Sequence, residues 1–480
     1  MPLVNAMMKP VLVLPLGRPT FDVPLAEQYA GAAFARLDEE GLATTGPRNL
    51  LFDAAAAREA IAAIAPAEIA GILLLQVTFT DASMTVEIAR AFPGLPLAIW
   101  AFPEPRAGGR LRLNSYCGLN LAAHALGRAG IPHGWLYGPP ETAGIVPRLR
   151  EALAVSGMPV SQARPAQQRG TSPDAVAALD AALANRTIGL VGDHPAGFDT
   201  CRYEPERVAS LLGGGRVKPL PLGDLFTEAR AADDASLEAG LADVRATYAG
   251  SDAVDQPQLR KSLQLLDGLR ALKAGHGLDA FAVRCWPETF TEFGCAICGP
   301  MGIMTEAGTP CACEADVMGA LTTMLVNAAA GQPGWLVDIV DMDGASDTGV
   351  FWHCGSAPLS MRDPEGEVRA QIHSNRKMPL LAEFTLKPGR ITMARLTQTR
   401  NGLALVLGSG DILRAPMSFT GTSAVVRFDG GAEQAGARLI GEMLEHHVAF
   451  AYGEFRDVLE DWAFARGLPV IDLTPVRGVP

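Results

Sequence analysis

Thr187-Ile188-Gly189-Leu190-Val191-Gly192-Asp193-His194-Pro195-Ala196-Gly197-Phe198-Asp199 is the stretch whose reading decides the fold. It opens as a short apolar strand, closes on Gly192, and runs into a polar loop at the strand's carboxyl end. Loops in that place commonly carry ligand contacts in open α/β sheets, which makes Asp193 and His194 candidate substrate-binding residues. The same texture recurs on either side. Upstream, Val11 to Pro15, Asn49 to Phe52, Ile72 to Val77 and Leu95 to Trp100 read as strands. Between them Leu25, Tyr29, Ala33 and Leu37 fall at helical spacing, and Ala54 to Ile64 is Ala-rich and helical. Downstream, Gln256 to Leu272 is a helix candidate and Asp279 to Cys285 a strand. Strands separated by amphipathic helices predict parallel sheets covered on both faces.

The stretch Ser161 to Ser172, containing Pro and Gln, reads as a linker between two such α/β units. Past residue 330 the pattern changes to short strands with turn residues between them: Trp335 to Val340, Val350 to His353, Glu383 to Leu386, Ile391 to Thr397, Ala404 to Ser409 and Ser423 to Phe428. Lys387-Pro388-Gly389-Arg390 reads as a turn between strands. A helix, Glu454 to Arg466, and a strand, Leu468 to Leu473, close the chain. The expected organisation is an α/β unit over 1–165, a second over 170–332, and a mainly-β unit over 333–480.

Composition bounds what such a chain does. At 480 residues and 48% apolar it can bury a large core, and 19% charged residues argue against disorder. Forty basic against 52 acidic residues give a net charge of −12. No dense basic run is present, so nucleic acid and anionic membrane surfaces are not expected partners. Apolar runs such as Gly71 to Leu75 are too short to span a bilayer. Met1 to Asn5 does not look like a signal peptide. Eight Cys without a leader are expected as reduced thiols in the cytoplasm.

The chemistry gathers in the last third. Asp338 interrupts the apolar run Trp335-Leu336-Val337-Asp338-Ile339-Val340, and an unpaired buried carboxylate is costly, so it is expected to be paired or to bind metal. Asp341, Asp343 and Asp347 follow in a Gly-containing context that reads as a solvated loop. His353 interrupts Val350 to Cys354, where a lone His is commonly a satisfied core residue. Glu314 stands just before an apolar helix with a Val317, Leu321, Met324 and Leu325 stripe; acidic residues there are commonly caps, and the helix N-terminus favours the ionised form. His446-His447 precedes an apolar strand, and adjacent strand residues face opposite ways, so only one of the two is expected at a site. Carboxylate oxygen with imidazole nitrogen suits a divalent ion of intermediate hardness, Mn²⁺ among others. A rival four-thiolate zinc site would use Cys295-x-x-Cys298 and Cys311-x-Cys313, though the second half is tight for tetrahedral ligation. Gly213-Gly214-Gly215 lacks the phosphate-loop Lys, and no G-x-S-x-G elbow occurs.

Arg284-Cys285-Trp286-Pro287-Glu288, Cys313-Glu314-Ala315-Asp316-Val317 with Gly319 to Thr322, Asp338, the His353-Cys354-Gly355 turn and the closing segment His446 to Val470 together resemble the L-fucose isomerase-like proteins, whose architecture is shared by L-arabinose isomerase. The resemblance covers roughly residues 185 to 475; the first 160 match only in α/β texture. It implies two Rossmann-like α/β domains followed by a C-terminal mainly-β domain, and a Mn²⁺-dependent aldose–ketose isomerase working through an enediol on a small-molecule sugar. By position it implies Glu314, Asp338 and His447 as metal ligands, with Glu314 and Asp338 as the acid–base pair. His353 matches a His beside the metal, either a ligand or a sugar contact. Trp286, Asp193, His194 and Asn114 join it as expected substrate contacts, Asn114 and Tyr116 serving a neighbouring subunit, with the sugar's distal end read by the Asp193–Asp199 and Arg284–Glu288 loops. Family members are homo-oligomers, trimer to hexamer. A related group isomerises sulfonated sugars such as sulfoquinovose, and a non-catalytic sugar-binding protein is the other alternative.

Overall fold

A computed structural model describes residues 9–399 and 402–475. The opening segment Met1 to Asn5 lies outside these residues. The chain is a mixed α/β protein with two parallel sheets and a C-terminal antiparallel β-rich region.

In the first sheet the strands run Thr44–Thr45, Val11–Leu16, Gly71–Gln76, Leu97–Ala101, Gly134–Tyr137, all parallel. The alternation of a strand decides where each side chain goes. Leu12, Leu14, Ile72, Leu74 and Ile99 join one apolar cluster, and Val11, Val13, Leu73, Leu75 and Trp100 join another on the opposite face. Both faces are therefore covered, as near-continuous apolar strands require. The strand expected over Asn49 to Phe52 is only a single bridge from Leu51 to Leu16. Asp53 accepts from the Ala56 amide at 2.8 Å and starts the helix Ala54–Ile61, so the chain turns away from the sheet.

The second parallel sheet has the order Cys311–Ala312, Ala280–Val283, Thr187–Val191, Arg216–Leu220. Phe281 and Val283 face one cluster, Ala280 and Ala282 another. The helix Val317–Ala330 follows, and its buried face packs against the third sheet through contacts with Leu336, Ala394 and Ala449 in the same cluster.

That third sheet is largely antiparallel, and six of its strands close on themselves. Thr422–Phe428 pairs with Thr348–His353, which pairs with Trp335–Asp343, then His447–Tyr452, Gly389–Thr399 and Gly402–Leu413, and the last pairs back to Thr422–Phe428. Closure removes the exposed edges that an open sheet of this size would present. Val337, Ile339, Phe351, Met393, Val406, Val426, Val448 and Phe450 belong to the cluster that fills this ring. Lys387 to Arg390 links Leu381–Thr385 to Gly389–Thr399, but these strands are not neighbours; Leu381–Thr385 pairs with Arg369–Gln371 and Thr422–Phe428 instead.

The 161–172 segment is not a free linker. Arg164–Pro165 adds to the strand Pro469–Asp472. Arg164 and Arg169 form ion pairs of 2.5 and 2.8 Å with Glu460, whose side chain is fully buried, and the Thr171 amide donates to Asp461 at 2.7 Å. A buried carboxylate needs such partners, which the sequence pattern alone does not display.

Phe450 is fully buried at the centre of the ring, with Phe351 and Trp335 ring centroids 5.2 and 5.9 Å away. Phe450→Ala is expected to cost about 3–5 kcal/mol, read as a fall in the denaturant midpoint. Phe464→Ala, at a 49% exposed position, is expected to stay within about 0.5 kcal/mol. Equal effects would show that the ring is not packed as described.

Candidate functional site

Strand register brings the first two candidates together. Asp338 stands directly opposite His447 in the antiparallel pair Trp335–Asp343 with His447–Tyr452, and directly opposite Trp352 on its other side. Opposed residues share a face, so their side chains meet. His447 Nε2 lies 3.5 Å from Asp338 Oδ1. Val337, Ile339 and Val448 point into the ring, so this pair points out of it, towards the parallel sheets.

Glu314 arrives from the second parallel sheet. It follows the strand Cys311–Ala312 and does not belong to the helix Val317–Ala330: it sits in a tight turn with φ +58°, and Ala315 also has φ +58°. Two successive left-handed residues are uncommon outside glycine and mark a turn held by its surroundings. The cap expected of Glu314 is supplied by Asp316, whose Oδ1 accepts from the Gly319 amide at 2.8 Å. Freed from capping, Glu314 Oε2 meets His446 Nε2 at 2.9 Å and His447 Nε2 at 3.9 Å, and its Oε1 accepts from Trp286 Nε1 at 3.2 Å. Burial pushes its carboxyl up, but the His446 hydrogen bond and the neighbouring imidazoles hold it below the ordinary value.

Both histidines of the 446–447 pair reach the site, contrary to the alternation expected from sequence. The strand begins at His447, so His446 is free of the pleat. Their rings stand 3.8 Å apart, and His446 Nε2 is also 3.8 Å from Asp338 Oδ1. His447 is set from behind. Its Nδ1 is 2.9 Å from Asp316 Oδ2, and Arg395 clasps the same carboxylate through Nη1 at 2.5 Å and Nη2 at 3.1 Å. All three side chains are buried. Burial would raise the Asp316 carboxyl, but Arg395 and His447 hold it far below the usual range. An ionised Asp316 requires the proton of a neutral His447 on Nδ1, which leaves a lone pair on Nε2. That Nε2 is buried with no hydrogen-bond partner among the described residues.

His353 has the opposite tautomer. Its Nδ1 accepts from the Cys354 amide at 2.9 Å, so the proton of the neutral ring is on Nε2, which is likewise buried and unpartnered. Burial holds this imidazole below its ordinary value, so it is neutral. Its ligand-bearing atoms lie within 4.8 Å of those of Asp338 and His447, and Cys201 groups in the same way with Glu314, His446 and His447. Burial pushes the Cys201 thiol well up.

A cleft lined by Glu314, Asp338, His353, His446, Trp286 and Asn114 among others opens onto these groups. Asn114 therefore reaches the cleft of its own chain, while Tyr116 is buried with its hydroxyl on the Gly436 carbonyl at 3.2 Å. Asp193 and His194 are not among the lining residues; their carbonyls accept from Arg284 at 3.1 and 3.4 Å. Arg284 itself is forked onto Glu288 at 2.7 Å through two nitrogens, so the loop expected to read the sugar's distal end is internally neutralised. Phe198, further along the Asp193 loop, does pack on Trp286 and His446. Asp341, expected in a solvated loop, is buried and paired with Arg106 at 2.5 Å. The thiol pairs of the rival zinc reading do not form a metal-competent group among the described residues; Cys313 instead contacts Cys285 at 2.6 Å. Sequence reasoning passed over Arg18, His373, Asn375 and Arg376, all of which line the cleft; the polar run His373 to Lys377 was the available signal.

Comparison with known proteins bears on the same chain. Residues 13–146 match the family model described as "Fucose/sulfoquinovose isomerase, N-terminal domain". The sulfoquinovose isomerases of Priestia aryabhattai and Priestia megaterium are each 29% identical over 450 residues, spanning 94% of this chain and 96% of theirs. That of Alkalicoccus urumqiensis is 28% identical over 405 residues, 84% of this chain and 86% of its own. The family match falls in the region that showed only α/β texture by eye.

Removing Asp316 leaves Arg395 charged and buried. Asp316→Ala is expected to destabilise by about 3–5 kcal/mol in denaturant titration, because breaking a buried pair strands most of its charge and leaves Arg395 only the more distant Glu445 at 3.9 Å. A loss below about 1 kcal/mol would contradict the reading of Asp316 as the buried counter-charge.

Proposed function

This chain belongs to the fucose isomerase-like superfamily, and on that premise we propose that it is a metal-dependent aldose–ketose isomerase whose centre is Glu314, Asp338 and His447. The observation that carries the proposal is the buried, unpartnered Nε2 of His447, 3.5 Å from one carboxylate oxygen and 3.9 Å from another. Two hard oxygens and one imidazole suit a divalent ion of intermediate hardness, and we take Mn²⁺ as that ion. When bound, the metal would polarise the carbonyl of the open-chain sugar and its neighbouring hydroxyl.

The remaining work falls to the chain itself. Isomerisation moves hydrogen between C1 and C2 through an enediol. One of Glu314 and Asp338 takes the proton from carbon, and the other carries protons between the two oxygens. Trp286 Nε1–H and His446 both hold Glu314 in its ionised, oriented form. Asp316 and Arg395 fix the His447 tautomer. His353 offers Nε2–H, which makes it a donor to a sugar oxygen and not a metal ligand. Asn114, whose Oδ1 is buried and unpartnered, offers an acceptor to a sugar hydroxyl.

We take a sulfonated hexose, the sulfoquinovose of the relatives' names, as the substrate. We also read the three sheets as two Rossmann-like domains and a C-terminal β domain over 1–165, 170–332 and 333–480, assembled as a homo-oligomer. Among the described residues no helix is long and apolar enough to cross a membrane, and we place the protein in the cytoplasm, where its eight free thiols stay reduced.

Glu314→Gln is expected to lower kcat by about 100- to 10,000-fold with an unchanged circular-dichroism spectrum, followed by NMR of sugar interconversion in D₂O. Wild-type protein is expected to hold about one Mn²⁺ per chain and Glu314→Ala to lose it. Near-normal turnover by Glu314→Gln would remove Glu314 from the chemistry.

A further inference from the structure

We propose that the end of the cleft away from His447 is an oxyanion subsite, in which Arg376 and Arg18 clasp a sulfonate or phosphate on the far carbon of the sugar. The assignment of this end as distal rests on the isomerase reading of Glu314 and Asp338.

Both guanidiniums gather on one indole. Arg18 Cζ lies 5.3 Å and Arg376 Cζ 5.9 Å from the Trp286 ring centroid, and the Nε1–H of that indole donates to Glu314 Oε1 at 3.2 Å. Trp286 thus spans the cleft, with a candidate acid–base carboxylate at its polar edge and two cations on its apolar body. Phe79 and Phe290 extend the aromatic wall, 5.5 Å from Arg18 and 5.9 Å from Arg376.

The two arginines differ in what neutralises them. Arg18 is paired with Asp81 at 2.6 Å. Arg376 is half-buried, and among the described residues no carboxylate stands within 4.0 Å of it; its neighbours are aromatic faces and the Arg18 charge. Burial first, and then Arg18, hold its guanidinium below the ordinary value. Arg18 is offset by Asp81, but neither Arg376 nor Arg110, which holds Asn375, has a carboxylate within 4.0 Å among the described residues, so this end carries net positive charge. A partly desolvated cation beside a like charge is unfavourable unless an anion completes the set. Guanidiniums fit tetrahedral oxyanions through paired N–H donors. Asn375 supplies another donor: its Oδ1 is taken by Arg110 at 3.1 Å, so the amide turns its NH₂ outward.

The loop carrying Arg376 is built in advance. His373 Nδ1 accepts from the Asn375 and Arg376 amides, both at 3.2 Å, the Lys377 amide donates to the His373 carbonyl at 2.7 Å, and the His373 amide donates to the Met378 carbonyl at 2.9 Å. The His373 ring packs edge-on against Phe290, 5.1 Å between centroids. The turn is therefore ordered without the ligand, and little ordering is left for binding.

The test uses the Mn²⁺-loaded full chain with sulfoquinovose, glucose 6-phosphate and neutral 6-deoxyglucose, in wild type, Arg376→Gln and Arg376→Lys. The expected result is that Arg376→Gln lowers the kcat/KM ratio of sulfoquinovose to 6-deoxyglucose by about 10- to 100-fold, mainly through KM, and that Arg376→Lys recovers part of it. The ratio of glucose 6-phosphate to 6-deoxyglucose is expected to fall in the same direction in Arg376→Gln. In parallel, methanesulfonate is expected to quench tryptophan fluorescence of wild type and to lose affinity by a similar factor in Arg376→Gln. An unchanged ratio, or methanesulfonate affinity equal in both proteins, would overturn the subsite. Failure of wild type to interconvert any of the three sugars would instead strike the isomerase reading, and the methanesulfonate titration would still decide the subsite.

Discussion

The pairing of Asp338 with His447 across one antiparallel ladder is the constraint on which the rest of the site depends. A register slip of one residue would turn both side chains into the apolar ring, so the packing of Val337, Ile339, Val448 and Phe450 inside it fixes where the polar pair points. Closure of the six strands makes that register hard to slip. The stability of an apolar interior and the placement of two polar groups outside it are therefore one property.

Behind this pair runs a fully buried line of charge and hydrogen bond. Arg395 and Asp316 are each about 1% exposed in their side chains and neutralise one another. Asp316 orients His447, and His447 presents a bare nitrogen to the two carboxylates. The ladder pair comes from the β-rich region, Glu314 from a parallel sheet and Trp286 from the loop after its neighbouring strand. The centre thus forms where the second parallel sheet meets the β-rich region, which explains why residues more than a hundred positions apart are needed for it.

What the sequence displays and what it hides divide on physical lines. The parallel sheets are legible because strands buried on both faces are apolar at nearly every position, as in the Ile-Leu-Leu-Leu run of Gly71–Gln76. Asp338 and His353 are legible because a polar residue in such a run needs a reason. Glu314 reads in sequence either as a helix cap or as a ligand; Asp316 is the cap, and the left-handed turn that aims Glu314 has no glycine to mark it. The ring closure between Gly402–Leu413 and Thr422–Phe428 is a long-range pairing with no local pattern. Asp316 hides as an ordinary cap and Arg395 as one polar residue in a strand, since a buried ion pair is visible only when both partners are placed. The polar run around Arg376 carries no motif, and its place at the cleft shows only once the aromatic wall beside it is known.

A manganese anomalous-difference map from crystals of the metal-loaded protein tests the central claim most directly. One strong peak bonded by the Glu314 and Asp338 carboxylates and His447 Nε2, with His353 Nε2 outside the coordination sphere, is the expected result. A peak ligated by His353 in place of His447, or none between these three side chains, would contradict it.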